Sequence, residues 1–304
     1  TFLGRTRRSN RSPAGTVVLF ILVLISALFM LLPVLYAIGA AFKPLDEIYI
    51  FPPRLFAHNP TWKNFQEIAA LADTFWVPMS RYLFNTILIC SVTTFGHLLL
   101  SSLAAYPLAL HNFPGKRFLN TMVKWSLLFT SAAMLLPQYV VMSKLKIINT
   151  YWAIILPAMQ SSLGLYLMMN FMTQVPQALL EAARLDGAND WTILWRIFFP
   201  LAQATVAVIA LFYAVTWWNN WFNPSIFLSS KDKYPLQLVL REILLKNDTS
   251  SMTQIGSVGQ SQQEQFRMLV KYCTIIVATV PILVVYPFLQ RYFVKGVMIG
   301  SIKG

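Results

Sequence analysis

The chain is 304 residues long, 57% hydrophobic and only 12% charged, with a formal charge of +13. A soluble domain carries about a quarter charged residues, so this composition excludes an ordinary water-soluble globule and points to segments solvated by lipid. The basic residues are spread over many loops with no aromatic-interleaved patch, which excludes a nucleic-acid module, and Cys90 and Cys273 lie in apolar stretches as packing residues with no metal or disulfide spacing.

A spanning helix needs about 20 mostly apolar residues, because the hydrocarbon core is about 30 Å thick and each residue rises about 1.5 Å. The first such run is 16–42, behind Arg5, Arg7, Arg8 and Arg11. It exceeds the roughly 7–15 apolar residues of a signal peptide and is read as a retained span. The polar stretch 43–80, rich in Pro, Asn and Trp, is too polar for lipid. A second span is expected at 85–110, ending in the basic turn from His111 to Arg117. A third is expected at 118–142, a connector at 143–150, a fourth span at 152–175, a fifth at 199–222 and a sixth at 268–289. The chain starts at Thr1, so leading residues are expected upstream of it.

The expectation is therefore an all-α, polytopic membrane protein with six transmembrane helices forming one membrane domain over 16–290. Loops at about 43–80, 143–150 and 224–267 would lie on one side, and tails 1–15 and 291–304 on the other. Charge favours cytoplasmic tails. Eleven lysines and arginines fall on each side, but the outer pieces are longer, and the four N-terminal arginines abut the first helix, which usually dominates orientation. Pro33, Pro107, Pro137, Pro157, Pro281 and Pro287 lie in or beside spans, as packing or as kinks that open a cavity.

The segment 176–198 between the fourth and fifth spans is the most informative. Pro176 suits the start of a helix. Gln177, Glu181 and Arg184 share a face at helical spacing, and Ala182 and Ala183 keep the neighbouring surface low. Asp186 and Gly187 follow, and Gly187 suits the left-handed residue that ends a helix. Asn189 or Asp190 can cap the next helix near Trp191. The product is a short helix, a sharp turn and a second helix outside the membrane, a shape that fits a groove on another protein.

Glu181-Ala182-Ala183, three residues, Gly187, nine residues and Ile197-Phe198-Phe199-Pro200 resemble the EAA signature of permease subunits in binding-protein-dependent ABC importers. The family pattern ends Ile-x-Leu-Pro, and here Phe199 takes the leucine place. The resemblance implies the type I importer permease fold in a bacterial inner membrane, with a cytoplasmic coupling helix between helices 4 and 5. It implies that Glu181, Ala182, Ala183, Arg184, Asp186 and Gly187 contact an ATPase. It also implies a heterodimer with a second permease, two ATP-binding cassette subunits that use ATP and Mg, and an extracytoplasmic solute-binding protein. The chain itself would bind no cofactor and catalyse nothing. The ending 290–304 resembles that of maltose-type G subunits. With the run from Tyr234 to Arg241, it resembles the branch serving complex oligosaccharides, including pectin- and alginate-derived uronates, alginate being the single best guess.

Trp217, Trp218, Asn219, Asn220 and Trp221 close the fifth span, where rings stack on sugars and amides bond hydroxyls. The alternative is an interfacial aromatic belt. Trp217, Asn219, Asn220, Trp221, Gln160 and Gln138 are the candidate pathway residues; interhelical hydrogen bonding explains the glutamines equally well. His97 is read as a packed polar residue. The loop 247–265, rich in Ser, Gln, Gly and Thr, is predicted mobile.

Two other classes compete. An intramembrane enzyme lacks HExxH, GxSxG or paired carboxylates, since all eleven acidic residues lie in loops or at their edges. A proton-coupled carrier usually holds an ionisable group within the membrane, and only His97, Lys124 and Lys271 qualify. An ABC permease for a non-sugar solute also remains open. The P-loop pattern is absent, so ATP would bind a partner.

Overall fold

A computed structural model describes residues 13–48, 50–66, 77–250, 271–284 and 287, and every regular element among them is helical. The chain forms two compact units, one of Thr1–Ala70 with Gln254–Val277 and one of Leu71–Thr253 with Ala278–Gly304.

The first unit holds α1 (Pro13–Ala41), which starts at a proline whose missing N–H costs nothing there. Side chains 14–35 are all exposed, including Phe29 and Met30. The exposed hydroxyl of Ser26 donates to the Leu22 carbonyl one turn back. An apolar rod of this length, exposed among the described residues, needs lipid or another protein around it. The last turn, at Ala37, Ala40 and Ala41, is buried. There the predicted polar loop folds back as ordered structure. Lys43 is 2% exposed, and its Nζ donates to the Arg54 carbonyl at 2.6 Å. Asn64 Nδ2 donates to the Ala41 and Lys43 carbonyls, and the Phe42, Trp62 and Phe65 rings cluster at 5.0–5.7 Å.

The second unit is organised by α2 (Met79–Leu110). Four of its hydroxyls turn inward at little cost because each of them finds a carbonyl one turn back: Thr86 bonds Tyr82, Thr93 bonds Ile89, Ser101 bonds His97 and Ser102 bonds Leu98. The expected third span comes as two helices, α3 (Lys116–Ser126) and α4 (Ser131–Lys144). They part where the Ser126 hydroxyl lies 2.6 Å from that of Ser162. The fourth is α5 (Trp152–Ala158) and α6 (Ser162–Thr173), interrupted after Pro157. Carbonyls freed at that break are satisfied from neighbouring helices. The Tyr213 hydroxyl donates to Ala158 O at 2.9 Å, His97 Nδ1 donates to Met159 O at 3.0 Å, and the two rings stack at 3.9 Å. That is how an irregular backbone survives at membrane depth.

The segment after α6 forms α7 (Gln177–Leu185) and then α8 (Asp190–Leu201). The expected fifth span is sharply bent: α8 meets α9 (Gln203–Trp218) at 79°. The long piece expected as loop at 224–267 begins as α10 (Phe222–Phe227) and α11 (Leu236–Ser250); 247–250 are helical, and 251–265 lie outside the described residues, as do the tail 291–304 and residues 1–12. Within the stretch expected as a sixth span, the described residues form the shorter apolar helix α12 (Lys271–Val284).

Among the described residues three helices are long and apolar enough to cross a membrane, Ala14–Ala41, Ser80–Leu110 and Trp152–Thr173, and a fourth if the bent pair counts as one. α2 packs along α6 and α9. One apolar cluster gathers Ala105, Met168, Met172, Leu180, Ala183, Ile193, Phe198 and Ile209 near the end of α2. The other gathers Ile89, Met142, Ile154, Ile155 and Phe227 near its start.

Candidate functional site

The elbow after α6 is built by local rules. Pro176 takes the capping position before α7, one residue ahead of the expected first turn, with φ −58° and ψ 130°. The helix ends in a Schellman turn: Ala188 N–H donates to Ala183 O and Gly187 N–H to Arg184 O, each at 3.0 Å, with Gly187 at φ +78°. Asn189 then caps α8, its Oδ1 accepting the Thr192 N–H at 2.8 Å. Within α8 the stretch Ile193–Phe198 is a π-helix, and the Phe199 N–H reaches back to Leu194 O. Pro200 follows immediately; its ring clashes with an ordinary turn, and widening the helix relieves that.

α7 has two unlike faces. Leu180 and Ala183 are 7% and 9% exposed and pack into the cluster at the end of α2. Ala183, expected beside an outside partner, therefore serves the approach of α7 to its own unit. Glu181, Ala182, Arg184, Asp186 and Gly187 are exposed, and Leu185 is 88% exposed at the tip. Although Glu181 and Arg184 share a face, no ion pair joins them among the described residues. Arg184 turns instead to Asp190 at 3.8 Å, and Glu181 makes no ion pair among the described residues.

Asp190 was foreseen only as a possible cap, yet it joins four elements. Its Oδ1 accepts the Tyr106 hydroxyl at 2.9 Å and lies 3.5 Å from His111 Nε2. Tyr106 in turn packs edge-on against Phe198 at 5.7 Å. The end of α2, its following turn, α7 and α8 thus meet at one carboxylate. Sequence spacing gives no sign of this, because Tyr106 and Asp190 are 84 residues apart.

The proposed pathway residues fall in three places. Gln138 is half-buried on α4, and Gln160 stands exposed at the α5–α6 break, its Nε2 donating to Ser162 Oγ at 3.2 Å. Trp217 packs against the cluster near the start of α2. Asn219, Asn220 and Trp221 form the turn after α9. Asn219 Nδ2 donates to Val215 O, Asn220 Oδ1 accepts the Asn223 N–H, and the Arg241 guanidinium lies 3.2 Å above the Trp221 ring. Trp218 is buried, with Nε1 donating to Ala278 O. His97, bonded to Met159 O and stacked on Tyr213, has the setting of a packing residue.

The start of α2 is tied to two loops by asparagines. Asn85 Nδ2 donates to the Asp232 and Tyr234 carbonyls, and its Oδ1 accepts the Tyr151 hydroxyl. Asn149 Oδ1 accepts the Ser229 and Ser230 N–H groups at 3.0 Å. Burial raises the Tyr151 and Tyr234 hydroxyls above the ordinary tyrosine value. Both stay neutral, and Tyr151 keeps the proton it donates to Asn85.

The family model described as binding-protein-dependent transport system inner membrane component matches residues 2–299. The chain is 34% identical over 293 residues to the polygalacturonan/rhamnogalacturonan transport system permease protein YtcP of Bacillus subtilis (strain 168), covering 92% of this chain and 95% of that one. It is 29% identical to the arabinooligosaccharides transport system permease protein AraQ of Halalkalibacterium halodurans, over 91% of this chain and 93% of that one. Its fold matches a chain of a bacterial ABC transporter involved in the import of the acidic polysaccharide alginate, with a TM-score of 0.77 at 22% identity, covering 94% of this chain and 99% of the other.

Proposed function

This chain belongs to the inner membrane components of binding-protein-dependent transport systems, and on that premise we propose that it forms one half of the membrane channel of an ATP-driven importer of acidic oligosaccharides. It is a multi-pass membrane subunit without catalysis of its own; hydrolysis resides in separate ATPase subunits. In our reading α7 is the coupling helix, seated in a groove of one ATPase on the cytoplasmic side. Six spans place both termini there, and a second permease and a solute-binding protein complete the assembly.

The observation that carries the mechanism is the division of α7 into an anchored and a free face. Leu180 and Ala183 bind it to the bundle, while Glu181, Ala182 and Leu185 stand exposed. A helix held on one side transmits displacement instead of absorbing it. Movement of the ATPases reaches α2 through the apolar cluster and the Tyr106–Asp190 bond. The acidic substrate class is supported by the relative named for polygalacturonan transport, whose polymer carries a carboxylate on each uronate.

Affinity purification of the tagged chain from its native membrane should recover a second permease and an ATPase. Introducing Ala182→Arg or Glu181→Arg should release the ATPase while leaving the permease pair together. ATPase retention at the wild-type level in both variants would refute α7 as the docking element. Uptake of trigalacturonate that survived loss of the ATPase but collapsed with the proton gradient would assign the chain to secondary transport.

A further inference from the structure

Arg241 is the residue whose chemistry the transport reading leaves unused. It lies on α11, one turn beyond Gln237, so the two share a face. That face meets the turn after α9. Gln237 Nε2 reaches Asn219 Oδ1 at 3.5 Å, and the Arg241 guanidinium lies 3.2 Å from the Trp221 ring centroid. Asn219 is exposed, and Gln237, Trp221 and Arg241 are half-buried, so the group remains reachable.

A guanidinium laid on an indole uses its face for the ring and keeps its N–H edge free. Arg241 makes no ion pair among the described residues. Its sequence neighbour Glu242 falls on another part of the helix surface, since adjacent residues of a helix do not share a face. The result, among the described residues, is a cation held on a ring with an open fork, beside two amides and an aromatic wall. A planar carboxylate fits such a fork with two parallel bonds. Amides suit the hydroxyls of the same sugar ring.

We propose that Arg241, oriented by Trp221 and flanked by Gln237 and Asn219, is the subsite that selects uronate carboxylates on their way through this subunit. The proposal rests on the acidic-oligosaccharide reading and adds to it the residue that reads the charge. It assigns Trp221 a positioning role: one face of its ring carries the guanidinium and is closed to sugar stacking.

The test uses the assembled transporter in proteoliposomes with its solute-binding protein and trigalacturonate as the probe. Three substitutions separate charge, fork and packing. Arg241→Met keeps an aliphatic body on the indole, Arg241→Gln keeps polarity, and Arg241→Lys keeps charge without the fork. Loss of a charge-assisted bidentate contact should lower uptake at least about tenfold in the Met and Gln variants, with Lys between them and wild type. Basal ATPase activity and affinity for the loaded binding protein should not change. Full uptake in the Met variant would overturn the proposal, since packing alone would then suffice. So would a parallel loss of basal ATPase activity, which marks a structural role. If the wild type fails to carry trigalacturonate, the acidic-substrate reading falls first and this subsite with it. Wild-type transport with unaffected variants removes the subsite alone.

Discussion

The hydroxyl of Tyr106, in the last turn of α2, donates to the Asp190 carboxylate that opens α8, at 2.9 Å. Asp190 is also 3.8 Å from Arg184 on α7. A displacement of α7 therefore pulls on a side chain anchored to the longest described helix of its unit. Tyr106→Phe removes that tie and keeps the ring against Phe198. Hydrogen bonds to charged groups contribute about 1.5–3 kcal/mol when well shielded, and less at a carboxylate as open as this one. Sugar taken up per ATP should fall several-fold with the complex intact by size-exclusion chromatography. Unaltered stoichiometry in this variant would eliminate the latch.

Gly187 holds φ +78° with open space where a Cβ would stand. Strain alone, without collision, governs substitution here. Gly187→Asn should be tolerated, whereas Gly187→Val should cost about 1–2 kcal/mol in the local turn, because left-handed backbone disfavours a branched side chain. The expected readout is lowered ATPase recovery in pull-downs for Val but not for Asn. Equal recovery for both would show that the Schellman turn is not what presents α7.

The elbow was legible in the sequence because its signals are local: Pro176 before α7, Gly187 after it and Asn189 at the next cap each act within a few residues. The first two spans were legible because apolar length alone defines them. The breaks were not. Nothing near Ser126 marks the division of the third span, and the interruption after Pro157 depends on His97 and Tyr213, which are distant in sequence. The inward turn of Ala183 was hidden for a similar reason: a triplet of small residues does not say which side the bundle occupies. Asp190 and Arg241 became visible only when the chain brought remote partners to them.

Gly164 marks the closest approach of α6 to α2, since a Cβ there would collide with His97 Nε2. His97 cannot retreat, because Nδ1 bonds Met159 O and the ring lies on Tyr213. Gly164→Ala should therefore destabilise the fold by about 1–3 kcal/mol, the usual cost of overpacking. In a His97→Ala background the same change should cost much less. The two substitutions must couple in a thermal-melting double-mutant cycle in detergent. Strict additivity would mean that the helices meet elsewhere.

Glu47 fixes the fold-back after α1 by accepting the N–H groups of His58 at 2.9 Å and Asn59 at 3.1 Å. The His58 amide bond, aided by that of Asn59, holds the carboxyl below its ordinary value. A carboxyl lowered in the folded state stabilises above its unfolded value of about 4.3 and loses that contribution as pH falls through the folded value. Amide resonances of His58 and Asn59 should thus hold steady at neutral pH and shift only in acid, at a pH below the unfolded carboxyl's value. Glu47→Gln should remove the transition. A pH response that persists in Glu47→Gln would place its origin in another group.

Asn149 combines an unusual backbone with three side-chain bonds. Its φ is +63°, its Oδ1 accepts the Ser229 and Ser230 N–H groups, and its Nδ2 donates to Ser230 Oγ at 2.8 Å. Its own carbonyl accepts from Lys233 Nζ at 2.8 Å, a backbone contact that substitution leaves available. Asn149→Asp preserves both N–H contacts and tolerates the left-handed conformation. Asn149→Gly preserves only the conformation, and Asn149→Ala preserves neither. Stability should fall in that order, Asp least and Ala most, with Ala losing about 2–4 kcal/mol from unpaired N–H groups and backbone strain together. Melting temperatures of the purified subunit in detergent give the ranking. If Gly proved as damaging as Ala, conformation would contribute nothing and the side-chain bonds alone would set the loop; if Asp proved as damaging as Gly, the reverse would hold.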